Sequence, residues 1–557
     1  MCHPLVFSFL NLLVMHYYIF FTASIDDEPN FTRFVDNILG IVFDVTIVCL
    51  LSYLLSWKKP KIAYIATYFI TLLWSFSNIL YSRFFHHYIS LSAIQQGGSL
   101  FDSFMLDILV DGIAWTDLYF ILCPVVFIYL MRKTESWTKT NLRVLLLILP
   151  ITIVINLMGY ALFCIMDPKL RYVSFMIERL KARHFDNSIQ LCNPNVASFR
   201  RGTIRSLTSE WVMNMQGAIH LDDQKRKEID GFISASISRH ADDKPIIQPR
   251  NIIFIIVESY MSFVGDMKVD GKEVTPFLNC LRKDSTVFYN GHVKKNVTIG
   301  ESSDGQFIYM TGLLPLRSVV TITSARKAYL PPSLPKQTGR RSRMIIPTVE
   351  TMWRQDEMCR QYGFDTLYTS KDYSDQYLSV LNDEQVVDMA IDVDRSSTEP
   401  FFSVILTMSM HQPFNDQIDQ TFIINDHSIR KDLASYLNKC HYTDRQLKRY
   451  FEHLHESGLY DNSLIVMIAD HPVLSTDFGG VKDYIPLYLI YKDIQKINLW
   501  QGECNQIDVY ATLIDLLCPE SKWYGLGNSL ASVNYRDNVN DKLYTLSESI
   551  IRGDYFK

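Results

Sequence analysis

Four short stretches of this chain carry residue types that could share one reaction. Glu258 follows the run Asn251–Val257 (NIIFIIV), Asp470-His471 follows Leu464–Ala469 (LIVMIA), and His411 lies three residues past Phe401–Met408 (FFSVILTM). The fourth stretch, Gly300-Glu301-Ser302-Ser303-Asp304-Gly305, opens a helix-competent run that ends at Gly312. Carboxylates and imidazoles supply the oxygen and nitrogen donors that divalent cations take. A serine beside such a cation is readily deprotonated and becomes a nucleophile. A helix N-terminus adds unsatisfied N–H groups and positive dipole, which favour a phosphate and an alkoxide. Each stretch also has an ordinary reading: a carboxylate after a strand is commonly a solvated turn residue, and Ser302 or Ser303 could be only an N-cap. The coincidence of three strand ends with one helix start argues for a shared centre.

The elements that must position these groups are legible in outline. From Asn251 onward, short apolar β-branched runs alternate with helical stretches, and Met344–Pro347 is a further, weaker strand candidate. Continuous apolar runs of strand length read as strands buried on both faces, so the expectation is a mainly parallel sheet covered by helices on both sides. In such sheets ligands bind outside the carboxyl ends of the strands, where Glu258, His411 and Asp470-His471 would lie.

The first 167 of the 557 residues are different. They hold five runs of membrane-spanning length, about Leu5–Ala23, Ile38–Trp57, Ile62–Phe84, Trp115–Met131 and Val144–Met166. The first lacks the basic flank of a secretory signal and is read as a retained helix. Lys58, Lys59 and Lys61 follow the second run, and Arg132, Lys133, Lys139 and Arg143 follow the fourth, whereas Asp26, Asp27 and Glu28 follow the first. Basic loops stay cytoplasmic, so everything after Asp167 is expected outside. The expected division is a five-span membrane domain (1–167), a juxtamembrane helix and connector (168–249), and a soluble extracytoplasmic domain (250–557). A net charge of −5 gives no reason to expect a nucleic-acid partner, and ten cysteines without a CxxC pair exclude a zinc knuckle.

With these stretches in place, the chain resembles the lipoteichoic-acid synthase (phosphoglycerol transferase) family of the alkaline-phosphatase/sulfatase superfamily. The resemblance rests on VES at Val257–Ser259, ESSDGQF at Glu301–Phe307, TMSMHQPF at Thr407–Phe414 and GLYDNSLIVMIADH at Gly458–His471. It implies an N-terminal α-helical membrane domain followed by an α/β sulfatase-like domain. It also implies one divalent metal ion held by Glu258, Ser302, Asp470 and His471, manganese first, with magnesium or zinc as alternatives. Ser302 would be the nucleophile, standing where these enzymes have a threonine, and His411 would hold the donor's phosphate or headgroup. The family's Trp-x-Arg element is altered, because Trp353 is followed directly by Arg354; these two are the remaining substrate-binding candidates. The implied activity moves a phosphoglycerol-type headgroup from a phospholipid donor, through Ser302, to a cell-envelope glycan or lipid acceptor at a bacterial inner (cell) membrane. The alternatives are a phosphoethanolamine transferase, a metal-dependent phosphodiesterase or phosphatase, and a non-catalytic receptor or scaffold. A Cys or Ser followed by x-Pro-x-Arg, which true sulfatases convert to formylglycine, does not occur in the chain.

Overall fold

A computed structural model describes residues 4–22, 30–56, 59–85, 88–89, 94, 113–133, 198, 202–215, 220–240 and 246–557, the last range less 318–319, 323–329, 351, 375–377, 379, 413, 415–416, 474–477 and 479. The chain forms two compact units, one within residues 1–215 and one taking in 216–557.

The first unit is helical: Leu5–Thr22, Asn30–Leu55, Pro60–Phe85, Leu118–Lys133 and Thr203–Met215. Among the described residues, Pro60–Arg83 and Trp115–Lys133 are long and apolar enough to cross a membrane; the apolar stretches Leu5–Ile19 and Gly40–Leu55 are shorter. The fifth expected run, Val144–Met166, lies outside the described residues. Polar side chains turn inward here, with Asn11, His16, Asp44 and Asn78 fully buried, while Ile70, Leu73, Ile121 and Val125 are more than half exposed.

The second unit is built on an eight-stranded sheet. In chain order its strands are β1 (Asn251–Val257), β4 (Val287–Lys294), β5 (Arg341–Ile345), β6 (Thr366–Tyr368), β7 (Phe401–Leu406), β8 (Ser463–Ala469), β9 (Tyr484–Ile490) and β10 (Cys504–Asn505). The short β2 (Lys268–Val269) and β3 (Lys272–Glu273) form a separate hairpin. The order across the main sheet is β10-β4-β9-β8-β1-β7-β5-β6, and β9 alone runs against its neighbours. Every residue of β1, β7 and β8 is buried, as a parallel sheet covered on both faces requires.

Local chemistry sets the strand ends. β7 stops at Leu406, two residues short of the expected end, because the N–H groups of Met408 and Ser409 leave the ladder and donate to Asp383 Oδ1 at 2.7 and 2.8 Å. The weaker candidate at Met344–Pro347 is real but shifted, running from Arg341 to Ile345 and ending before the proline. Strand β9 escapes the sequence reading because it contains Pro486, which donates nothing to a ladder. The sheet accommodates it with a break in the β4–β9 register between Asn290 and Val293, and the β8–β9 pairing ends at Leu487.

Candidate active site

Glu258 is the first residue past the central strand β1. Its N–H donates to Thr407 Oγ1 at 2.9 Å, which ties the end of β1 to the end of β7. Ser259 adopts a left-handed backbone (φ 49°), its hydroxyl donates to Glu258 Oε1 at 2.8 Å, and its N–H donates to Asp470 Oδ1 at 2.8 Å. His471 N–H donates to the same Oδ1 at 2.8 Å. The register of β1 against β8 pairs Val257 with Ala469, so Glu258 and Asp470 emerge side by side.

Ser302 reaches this pair from the helix Glu301–Thr311. Its Oγ lies 3.1 Å from His471 Nε2 and 3.4 Å from Glu258 Oε2. His471 Nδ1 carries its proton to the Pro472 carbonyl at 2.8 Å, leaving the Nε2 lone pair aimed into the cluster. Nε2 is 3.5 Å from Asp470 Oδ2 and 3.9 Å from Glu258 Oε1. Ligand atoms of Glu258, Asp470 and His471 all fall within 4.8 Å of one another, and all three residues are buried. Neither serine is the N-cap: Gly300 holds that position, and Ser303 Oγ donates to the Gly300 carbonyl at 2.6 Å. The loop that delivers Ser302 is held by Asp304, whose carboxylate accepts from Thr298 N (2.9 Å), Thr298 Oγ1 (2.7 Å), Gly300 N (3.0 Å) and Thr321 Oγ1 (2.9 Å).

The electrostatics suit a cation. Burial, and then the facing Asp470 carboxylate, push the Glu258 carboxyl well above the usual range. Two carboxylates and an imidazole lone pair converging with a hydroxyl are a donor set that a divalent cation would stabilise, and such an ion would reverse that shift. Burial lowers the His411 pKa, and its electrostatic neighbours include Glu301, His471 and Asp470, so His411 belongs to the same neighbourhood. Its Nδ1 donates to the Gln412 carbonyl at 2.6 Å, which leaves Nε2 as the acceptor of the neutral ring. Trp353 and Arg354 lie past β5 with consecutive left-handed backbones (φ 49° and 51°). Trp353 packs against the core, and Arg354 Nη1 donates to Glu357 Oε1 at 3.2 Å.

Several residues that build the site are not singled out by sequence reasoning. Gln506 Nε2 donates to the Asp470 carbonyl at 2.6 Å and its Oε1 accepts from Asn296 N–H. Tyr309 OH donates to the Ala469 carbonyl at 2.6 Å, and Tyr436 OH donates to the Ser259 carbonyl at 2.9 Å. Glu301, directly before Ser302, is half-buried with φ 45°, and its charge acts on Glu258 and His411.

Residues 250–517 match the sulfatase family profile. They form a sulfatase-family domain. The chain as a whole is similar to lipoteichoic acid synthases. It is 26% identical to lipoteichoic acid synthase 2 of Bacillus subtilis over 90% of this chain and 79% of that protein. It is 24% identical to lipoteichoic acid synthase of Staphylococcus aureus over 93% of this chain and 82% of the relative. A solved integral membrane protein, lipooligosaccharide phosphoethanolamine transferase A of Neisseria meningitidis, shares the fold over 93% of this chain and 96% of its own, with a TM-score of 0.55 and 12% identity.

Proposed function

We propose that this protein is a multi-pass membrane phosphotransferase that moves a phospholipid headgroup, phosphoglycerol first, to an extracytoplasmic glycan or lipid acceptor through a covalent phospho-Ser302. The observation that carries this reading is the placement of Ser302 Oγ within 3.4 Å of Glu258 and 3.1 Å of His471 at the start of a helix. In the first half-reaction Ser302 Oγ bonds to the headgroup phosphorus as the phosphorus–oxygen bond to diacylglycerol breaks, and the serine proton ends on the diacylglycerol oxygen. In the second, an acceptor hydroxyl takes the phosphoryl group and returns its proton to Ser302. The N-terminal N–H groups of the helix face the phosphoryl oxygens. Glu258, Ser302, Asp470 and His471 would hold one divalent cation, manganese first, which neutralises charge on the phosphoryl oxygens and lowers the pKa of the serine hydroxyl. His411 would orient the headgroup, flanked by Trp353 and Arg354.

Phosphoethanolamine is the second reading, favoured by the Glu301 carboxylate beside Ser302 and by the pairing of Arg354 with Glu357, which spends part of the positive charge a glycerophosphate would meet. The inside-out helical unit supports a bilayer location, since it buries Asn11, His16 and Asp44 and presents Ile70, Leu73 and Ile121 outward. The test is diacylglycerol release from vesicles of phosphatidylglycerol and phosphatidylethanolamine by the manganese-loaded protein. Release by the native chain and none by Ser302→Ala is the expected result; release at the native rate by Ser302→Ala overturns the reading.

A further inference from the structure

The helical unit contains a buried polar cluster that the reaction does not use. Asp44, in the helix Asn30–Leu55, accepts at Oδ2 from Thr203 N–H (2.9 Å), Thr203 Oγ1 (2.6 Å) and His16 Nε2 (3.0 Å), and at Oδ1 from Ile204 N–H (3.1 Å). His16 Nδ1 then accepts from Tyr88 OH at 3.0 Å, and Trp74 Nε1 donates to Thr203 Oγ1 at 2.9 Å. Both His16 and Asp44 are fully buried. Thr203 and Ile204 are the first residues of the helix Thr203–Met215, so Asp44 acts as an N-cap supplied by another helix. The contact is backed by a second feature. Gly202 has φ +84°, and a Cβ there would lie 2.4 Å from Asp44 Oδ1 and 2.9 Å from the Gly40 carbonyl. Only glycine permits that approach. The Arg205 guanidinium also lies over the Phe43 ring, 5.2 Å from its centroid.

We propose that Asp44 is a positioning residue for the reaction: it pins the start of the helix Thr203–Met215, in the segment that precedes the catalytic domain in sequence, to the helical bundle. A buried carboxylate on a helix read as membrane-embedded is costly unless it serves such a purpose, and here its bonds go to one helix terminus, one imidazole and one hydroxyl. The consequence is specific. A pinned connector favours a donor held in the bilayer, whereas a donor free in water reaches Ser302 whether or not the connector is pinned. This rests on the reading of Ser302 as a carrier of lipid headgroups.

The experiment compares the full-length native protein with Asp44→Asn in proteoliposomes containing manganese. Diacylglycerol release is followed from bilayer phosphatidylglycerol and from monomeric dihexanoyl phosphatidylglycerol, and amide exchange is measured across residues 203–215. Asp44→Asn is expected to lower kcat/KM on the bilayer donor about tenfold and to speed exchange at Thr203 and Ile204 by a similar factor, with the soluble donor changed by less than about twofold. An equal fall on both donors, a fall on neither, or unchanged exchange overturns the proposal. If the native protein releases diacylglycerol from neither donor, the headgroup reading has failed and exchange alone decides the anchor: faster exchange confined to 203–215 upholds it, and none refutes it. Should Asp44→Asn not fold, Thr203→Val, which removes one hydroxyl from the same cluster, takes its place with the same expectations.

Discussion

At the scale of single residues, the site separates two adjacent serines by direction alone. Ser302 Oγ faces Glu258 and His471, whereas Ser303 Oγ is buried on the Gly300 carbonyl. Ser303→Ala should therefore keep activity and cost about 1 kcal/mol of stability, the worth of one buried hydrogen bond, as measured by denaturant unfolding. Loss of turnover without loss of stability in that variant would place the nucleophile one residue later. Glu258, Asp470 and His471 were legible in the sequence because each sits at the end of an uninterrupted apolar run. Asp304, Gln506 and Tyr436 were not. Each is an ordinary polar residue in its own segment and acquires its role only by bonding to a carbonyl or N–H that the fold brings near.

At the scale of elements, the approach of one helix to one strand decides where Ser302 sits. A Cβ on Gly305 would lie 2.6 Å from the Asp470 carbonyl oxygen, so the helix Glu301–Thr311 touches the end of β8 backbone to backbone. Gly305→Ala should push the helix away, costing about 1–3 kcal/mol in unfolding experiments and lowering turnover more than substrate affinity. Unchanged turnover would mean that this contact does not set the position of Ser302. The parallel core of the sheet was readable from β1, β7 and β8, whose strands are apolar throughout. The far half was not, because β4 mixes polar and apolar residues around a register break, and β9 hides an interior strand behind Pro486. The joining of Met408 and Ser409 to Asp383, which shortens β7 and sets the loop before His411, likewise depends on residues more than twenty positions apart.

At the scale of the whole molecule, one chain carries a helical unit with its polar side chains turned inward and a sulfatase-family domain. If the basic loops at Lys58–Lys61 and Arg132–Arg143 are cytoplasmic, a reporter active only outside the cytoplasm should work when fused after Lys557 and fail in the Lys58–Lys61 loop. The opposite pattern would put the catalytic domain on the wrong side for an envelope acceptor. Composition and loop charge suggested that arrangement; among the described residues Pro60–Arg83 and Trp115–Lys133 are long and apolar enough to cross a membrane, while Asn11, His16 and Asp44 are buried inside the unit. The central claim is that Ser302 itself carries the headgroup. The most direct measurement is the intact mass of the manganese-loaded protein after incubation with mixed phosphatidylglycerol and phosphatidylethanolamine and rapid acid quench, with the modified peptide sequenced. The expected result is a phosphoglycerol or phosphoethanolamine mass on Ser302, absent from Ser302→Ala. Diacylglycerol release with no covalent mass on Ser302, or with the mass on another residue, would contradict it.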